Sequence, residues 1–174
     1  MPIFKAVNEC YKGERDFRNL VFYSVYKNGT VNLCGAQAVL MGDVQGMYRQ
    51  MMDVKKYFHK ENSRQALHYI LSFSEEEENY IKPMEALRIG YAVAACFPKW
   101  QVVFGVHEDT DNLHVHFVVN CTSFVDGKAF GMSLVQLMER QKYVGILAEH
   151  CYEMSLPIEE RRKRMFQRIE GIAG

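Results

Sequence analysis

The stretch VHEDTDNLHVHFVVN, residues 106–120, decides the fold of this chain. It contains three of the chain's six histidines, His107, His114 and His116, within ten consecutive residues. Residues that favour strands lie on both sides of the polar segment EDTDN, which is typical of two antiparallel strands joined by a turn. The segments WQVVFGVH (100–107) and LHVHFVVNCTSF (113–124) are therefore predicted to form a β-hairpin.

The predicted hairpin brings the three imidazoles into one volume. His114 and His116 share a face, because residues two apart on a strand project to the same side and lie about 6.6 Å apart. His107 ends the preceding strand, where an antiparallel partner lies about 5 Å away. The opposite face is expected to be the core side of a half-buried strand, formed by Val115, Phe117 and Val119.

Three neutral imidazoles are a donor set for a divalent transition metal, and they leave coordination positions open. A site without carboxylate ligands keeps about two positive charges, which suits a phosphate oxygen or a metal-bound water. His107, His114 and His116 are therefore predicted metal ligands, and the alternative is three unrelated histidines on exposed strand ends. Asp109 and Asp111 are predicted to accept hydrogen bonds from the imidazoles and so to fix their tautomers.

The other three histidines give weaker signals. His68 lies in the segment LHYILSFS. It either faces the active site together with Ser72 or is a hydrogen-bonded core histidine, and the sequence leaves both alternatives open. His59 and His150 have no partners nearby in the sequence and are expected to be structural.

Helices and strands alternate along the rest of the chain. Three helices are predicted from apolar residues at helical spacing, from turn residues and from a proline at a helix start. A further strand is predicted from a run of β-forming residues. These elements are a helix over 15–26 that ends in a turn at Asn28-Gly29, a helix over 47–60, a strand over 64–74 and a helix from Pro83 to about Phe97. Because the hairpin is antiparallel, we predict an α+β fold rather than a parallel sheet.

A long helix is predicted after the hairpin. Ser133 and Gln136 have the spacing of a capping box, which is typical of a helix start. The buried side of this helix is expected to consist of Leu134, Leu137, Met138, Val144, Leu147 and Cys151.

Length and composition indicate one globular domain, residues 1–174, with 48% apolar residues. The longest nearly apolar run, IGYAVAACF at 89–97, is too short for a membrane span, and the first residues lack the apolar core of a signal peptide. Five cysteines without a CxxC pair argue against a disulfide framework or a thiolate zinc site. We therefore expect a cytoplasmic protein that does not engage a membrane.

Charge is balanced over the chain but uneven along it. With 21 basic and 21 acidic residues, the molecule has no net field that would draw it to nucleic acid. The segment 49–64 is nevertheless basic, because its only acidic residues are Asp53 and Glu61. It could give the molecule one basic face. Its basic residues are Arg49, Lys55, Lys56, Lys60 and Arg64.

His114-Val115-His116 is a His-hydrophobic-His motif, and HEDTDNLHVHFVVN resembles the metal motif of conjugative relaxases, the mobilisation nucleases of the His-hydrophobic-His (HUH) superfamily. In that family His-x-Asp is followed by a short polar turn and then by His-x-His. An Asn stands four residues after the last His, and Asn120 holds that place here. A common version of the motif has His where Asn112 stands. The order of predicted elements and a Gly-Lys turn (DGKAF) extend the resemblance over most of the chain.

The resemblance implies an antiparallel sheet flanked by helices, and the nicking and rejoining of one strand of plasmid or integrative-element DNA through a tyrosine. Tyr23 fits the position of the attacking tyrosine in the first helix, and Tyr26, one turn away, is the alternative. Asn120 is expected to contact the metal ligands without binding the metal itself. Single-stranded origin-of-transfer DNA is the implied partner, and its expected basic contacts are Lys55, Lys56, Lys60 and Arg64.

The expected cofactor is a divalent metal ion, Mn²⁺ or Mg²⁺, with Zn²⁺ as the alternative. Because the net charge is zero, an accessory DNA-binding protein could supply affinity at the origin. Relaxases usually continue into long C-terminal regions, whereas this chain ends at Gly174, which leaves a truncated, a minimal and a degenerate relaxase as alternatives.

Other classes of function stay open from the sequence. One is a three-histidine hydrolase or oxygenase for a small molecule, in which metal-bound water or dioxygen replaces the tyrosine. Another is a non-catalytic DNA-binding relict of a relaxase. A replication initiator or transposase of the same superfamily would share the chemistry but differ in its biological use.

Overall fold

The computed structural model describes residues 2–27, 30–31, 33–108, 112–131 and 134–172. In chain order the elements are β1 (Ile3–Ala6), α1 (Glu14–Val25), β2 (Tyr26–Lys27), β3 (Thr30–Val31), β4 (Cys34–Gln37), α2 (Val44–Tyr57), β5 (Ala66–Ser72), α3 (Glu75–Glu78), α4 (Pro83–Ala94), β6 (Trp100–His107), β7 (His114–Ser123), α5 (Leu134–Ser155) and α6 (Ile158–Ile172).

The central sheet has the spatial order β1-β5-β7-β6-β4, and β2 pairs with β3 in a separate ladder. Every neighbouring pair of strands in the central sheet is antiparallel. The predicted hairpin forms its middle, with β6 and β7 side by side. The α+β fold with a central antiparallel sheet flanked by helices is therefore confirmed.

The predicted helix over 47–60 begins earlier and ends earlier than expected. Asp43 caps α2, since its carboxylate accepts a hydrogen bond from the backbone N–H of Gly46 at 2.9 Å. Two residues past the end of α2, His59 has a φ of 56°, a conformation that does not continue a helix. The turn predicted at Asn28-Gly29 lies outside the residues that the structure describes.

Both faces of the sheet are covered by helices. On one face Phe117 packs with Val93 of α4 and Ala148 of α5. On the other, Val118 packs with Val21 of α1 and Met51 of α2. Every residue of β7 is consequently buried. The expectation that this strand is half buried is wrong, because α1 and α2 close over the face that carries the histidines.

The long helix after the hairpin is present as α5, but its buried side differs from the predicted one. Val144, Ala148 and Tyr152 recur every four residues and are buried in the core. Met138 does not join this stripe and is 61% exposed, while Leu147 and Cys151 are half-buried. The side chains of the remaining predicted core positions, and the predicted cap, lie outside the described part of the chain: Ser133, Leu134 and Leu137.

Within the described ranges, no helix combines the length and the apolar character that crossing a lipid bilayer requires.

Gly105 of β6 allows α1 to lie directly on the sheet. A Cβ atom at this position would lie 1.9 Å from the carbonyl oxygen of Ser24, in the last turn of α1. No non-bonded carbon can approach an oxygen that closely, so any other residue would have to displace the helix. Because Gly105 is paired with His116 across the ladder, this contact holds the end of α1 against the histidine face.

Gly105→Ala should lower the free energy of unfolding by about 1–3 kcal/mol or more, since this is the typical cost of overpacking a filled interior. Urea unfolding measures this change. Gly145→Ala is the matched control, because an added Cβ there meets nothing within 4 Å. Inside α5 that control should be neutral or stabilise by up to about 1 kcal/mol. An unfolding midpoint of Gly105→Ala equal to the parent's would contradict the close approach of α1.

Candidate metal centre and active site

The adjoining ends of β6 and β7 bring His107, His114 and His116 together, as the hairpin predicted. His107 is paired with His114, and His116 with Gly105. One ring nitrogen from each histidine lies within 4.8 Å of the others, and all three side chains are buried. The ring centroids of His107 and His116 are 4.5 Å apart. This spacing and the nitrogen donors fit a single divalent ion.

Backbone carbonyls determine the tautomers of two of these histidines. Nε2 of His107 lies 3.0 Å from the carbonyl oxygen of Ser24 in α1. Nδ1 of His114 lies 2.9 Å from the carbonyl oxygen of Asn112. Because a carbonyl can only accept, each of these nitrogens carries the proton, and the lone pair is on Nδ1 of His107 and on Nε2 of His114.

The acceptors predicted for the imidazoles, Asp109 and Asp111, lie outside the described residues. The acceptors within the described part of the chain at His107 and His114 belong to the backbone of Ser24 and Asn112.

The third histidine, His116, contacts a series of hydrogen-bonded side chains that begins on β5, the strand on the opposite edge of β7 from β6. Nδ1 of His116 lies 2.7 Å from Nε2 of His68. Nδ1 of His68 lies 3.0 Å from the hydroxyl of Tyr11, which donates a hydrogen bond of 2.7 Å to the carboxylate of Glu9. Of the two alternatives for His68, the structure has the one that faces the histidine site. Ser72, paired with His114, is on the same face of the sheet.

Burial dominates the electrostatics of this chain of side chains. It lowers the pKa of His68 to about 4, against the opposing effect of the Glu9 carboxylate. Burial and the bond to Glu9 raise the pKa of the Tyr11 phenol well above its usual value. At neutral pH His68 is an uncharged imidazole and Tyr11 an uncharged phenol.

Glu9 and Tyr11 were not predicted from the sequence as part of the site. Their position depends on contacts between segments far apart in the chain, since Tyr11 forms an isolated β-bridge with Ala66 at the start of β5. No spacing in the sequence signals that pairing.

Tyr23 lies beside the three histidines. Its ring packs edge-on against His116, with centroids 5.1 Å apart, and against His107 at 5.5 Å. The side chain is 43% exposed, so that solvent and a ligand can reach it. Tyr26 follows the end of α1 and is the first residue of β2.

A cleft of about 700 Å³ opens next to Tyr23 and His116, between α1 and the chain segment that follows β1. Tyr11 and His68 line its wall, and Glu9 and Asp16 are acidic residues that also line it. The histidine site therefore opens into a groove with room for an extended ligand.

Lys55 does not lie at the surface. It continues the buried stripe of α2 formed by Met47 and Met51, and it is 0% exposed. Its ammonium group donates to the hydroxyl of Thr122 at 3.3 Å and to the carbonyl of Arg64 at 3.4 Å, and burial lowers its pKa to about 8. The prediction that Lys55 contacts DNA is therefore wrong. Lys56, Lys60 and Arg64 are exposed.

Asn120 is also placed differently from the prediction. It shares a face of β7 with His116 but lies four residues further along, about 13 Å away at the rise of a strand. Its amide group donates to the carbonyl of Met51 at 2.9 Å and to the side chain of Gln101 at 3.0 Å, and its oxygen accepts from Thr122. Asn120 links α2, β6 and β7 and does not support the three clustered histidines, so that expectation is wrong.

Comparisons with known proteins identify the family of this chain. Residues 22–156 match the family model of the relaxase MobA/VirD2-like nuclease domain. Protein TraI of Escherichia coli is 28% identical over 108 residues, which are 60% of this chain but 15% of TraI.

A solved structure from work on the molecular basis of vancomycin resistance transfer in Staphylococcus aureus has a TM-score of 0.62 at 13% identity. The match covers 88% of this chain and 93% of that one, and at this identity it shows a shared fold. The matched family region runs from α1 through both strands of the histidine hairpin to the end of α5. The resemblance found in the sequence is thereby confirmed, and the chain belongs to the MobA/VirD2-like relaxases, of which it carries the nuclease domain.

Proposed function

We propose that this chain nicks and rejoins one strand of DNA at an origin of transfer, by transesterification through a tyrosine. The observation that carries the proposal is the position of Tyr23, a partly exposed phenol packed against two of three clustered histidines. Membership in the relaxase family supports DNA as the substrate.

His107 would hold a divalent ion through Nδ1, and His114 and His116 through Nε2. We propose Mn²⁺ or Mg²⁺, with Zn²⁺ as the alternative. When bound, such an ion would polarise an oxygen of the scissile phosphate. The three imidazoles are neutral ligands, so they do not cancel the positive charge that attracts a phosphate.

Tyr23 is the proposed nucleophile. Its phenol loses a proton and its oxygen attacks phosphorus, a new phosphotyrosine bond forms to the 5′ side, and the bond to the 3′ oxygen breaks. The 3′ oxygen takes up a proton and leaves as a hydroxyl. The same steps in reverse rejoin the strand, because the phosphotyrosine bond keeps the phosphate activated. The edge-on contacts with His116 and His107 hold the Tyr23 ring at the centre.

Incubation with labelled single-stranded origin DNA and Mn²⁺, followed by a denaturing gel, tests this function. We expect a shortened labelled strand and a covalent protein–DNA adduct. Release of a shortened strand with no adduct at any time point would refute transesterification and favour hydrolysis.

We further propose that the single strand runs from the cleft towards the exposed basic residues at the end of α2. Arg64 connects the two, since its guanidinium donates to the backbone carbonyl of Glu9 at the cleft at 3.4 Å. Lys56 and Lys60 are the other two exposed basic residues on the proposed path. Because the whole chain has a net charge of zero, an accessory DNA-binding protein is a proposed further partner.

Replacing Lys56 and Lys60 together with Ala should flatten the salt dependence of binding to a single strand by about 1.4 units in log-log slope, since each phosphate contact contributes about 0.7. Fluorescence anisotropy of a labelled oligonucleotide over a salt series measures the slope. Lys142 and Lys163, exposed on α5 and α6, form the matched control pair. Equal slopes for the parent and the Lys56/Lys60 variant would remove this surface from the DNA path.

A further inference from the structure

His116 differs from the other two histidines in what its second nitrogen contacts. His107 and His114 each donate to a backbone carbonyl, which can only accept. His116 instead contacts His68, another imidazole, which can either donate or accept. The protonation pattern of His116 therefore depends on what lies behind His68.

The direction of the hydrogen bonds follows from Glu9, the outermost group of the series that links it through Tyr11 and His68 to His116. A carboxylate only accepts, so the single hydroxyl proton of Tyr11 points to Glu9. The oxygen of Tyr11 must then accept from Nδ1–H of His68. A buried, neutral imidazole with its proton on Nδ1 has its lone pair on Nε2. His116 must therefore donate from Nδ1–H, and its own lone pair lies on Nε2.

We propose that Glu9, Tyr11 and His68 form a positioning relay that keeps the proton of His116 on Nδ1 and so presents Nε2 to the metal. The inference rests on the proposed metal site and extends it to three residues outside the histidine motif. In the reverse direction, His68 would donate from Nε2, the proton of His116 would lie on Nε2, and one of the three ligands would be lost.

The fold holds the relay in place through the strand ladders. Ile70 is paired with His116, so His68, two residues before Ile70, is on the same face of the sheet and diagonal to His116. The two rings stack with centroids 5.0 Å apart. Tyr11 reaches His68 because its backbone is bridged to Ala66, two residues before His68. The outer acceptor, Glu9, lies at the cleft and is exposed.

Tyr11→Phe tests the relay in the metal-free protein. The change removes one hydroxyl and leaves the ring, so His68 loses the acceptor that holds its proton on Nδ1. Long-range proton–nitrogen NMR of histidine-labelled protein reports the tautomer of each ring. The signal of His116 is assigned by its absence in His116→Gln. We expect His116 to carry its proton on Nδ1 in the parent and to show a mixture of tautomers in Tyr11→Phe.

Tyr48→Phe is the matched control. Tyr48 is also a phenol that donates to a carboxylate, that of Glu14 at 3.0 Å, but it lies in α2 and packs on Phe17. Calorimetry should show Mn²⁺ affinity about 10-fold lower for Tyr11→Phe, at the low end of the roughly 10- to 100-fold that losing a ligand's hydrogen-bonding partner costs, and unchanged for Tyr48→Phe. An unchanged His116 tautomer in Tyr11→Phe, or equal Mn²⁺ affinities of the two variants, would overturn the relay.

A second pair of variants separates the acceptor from the packing of the His68 ring. His68→Gln retains an amide oxygen that can accept from Nδ1–H of His116, whereas His68→Leu fills the space without an acceptor. We expect Gln to retain the Nδ1–H tautomer and Leu to lose it, with circular dichroism confirming that both variants are folded. Equal tautomer populations in the two variants would refute the relay. The NMR result does not depend on DNA cleavage, so it is distinct from a failure of the proposed nicking activity.

Discussion

Mn²⁺ binding and DNA cleavage should both be lost when His114 and His116 are replaced together with Ala. The double variant leaves one imidazole in place, which cannot hold a divalent ion in a defined geometry. We expect the loss of affinity to exceed the roughly 10- to 100-fold that removal of an outer hydrogen-bonding partner costs. Calorimetry with Mn²⁺ and a denaturing gel measure the two effects.

The double variant should still fold. Both side chains are buried, so their removal costs stability, but the core on the opposite face of β7, around Val115 and Phe117, is untouched. His150→Ala, on an exposed position of α5, is the matched control and should retain both metal binding and cleavage. If the double variant bound Mn²⁺ with the parent's affinity, the three-histidine site would be wrong.

Tyr23→Phe should keep metal binding and DNA binding and lose both cleavage and the covalent adduct. Removing one hydroxyl deletes the proposed nucleophile but leaves the ring that packs on His107 and His116. The free energy of unfolding should change by no more than about 1 kcal/mol, the typical value of one hydrogen bond. Gel analysis of the adduct, calorimetry with Mn²⁺ and urea unfolding together measure this separation of chemistry from binding.

Tyr26→Phe is the control for Tyr23, since Tyr26 lies three residues on and has a similar exposure of 41%. It should nick DNA at the parent rate. An adduct formed by Tyr23→Phe but not by Tyr26→Phe would make Tyr26 the nucleophile. Should both single variants and the double variant cleave at the parent rate, mass spectrometry decides between two outcomes. A nucleotide-bearing peptide elsewhere identifies another tyrosine, and its absence means that water attacks.

The sequence predicted the histidine cluster correctly because the cluster is local. A strand places alternate residues on one face, and a short polar turn places the end of one strand beside the start of the next. His107, His114 and His116 are separated by no more than that turn, so two simple periodicities were enough to bring them together. The antiparallel middle of the sheet followed from the same segment.

The contacts behind the cluster are not local, and the sequence could not predict them. His68 reaches His116 across 48 residues of chain, and Tyr11 reaches His68 across 57. Lys55 shows the same limit, because a lysine on a helix is ordinarily solvated, and its burial depends on how α2 packs on β7. The complete covering of the histidine face has the same origin, since it requires α1 and α2 to return to the sheet.

The glycine opposite His116 has a consequence for transplanting this site into another protein. Gly105 has no reactive group, yet the space it leaves brings the carbonyl of Ser24 to His107 and the ring of Tyr23 to His116. A designer who copied the three histidines onto a new hairpin would reproduce the proposed metal ligands. The tautomer of His107 would not be set, however, and the proposed nucleophile, Tyr23, would not be held against the histidines. The smallest unit that can be grafted is therefore the hairpin together with its glycine and the last turn of the helix above it.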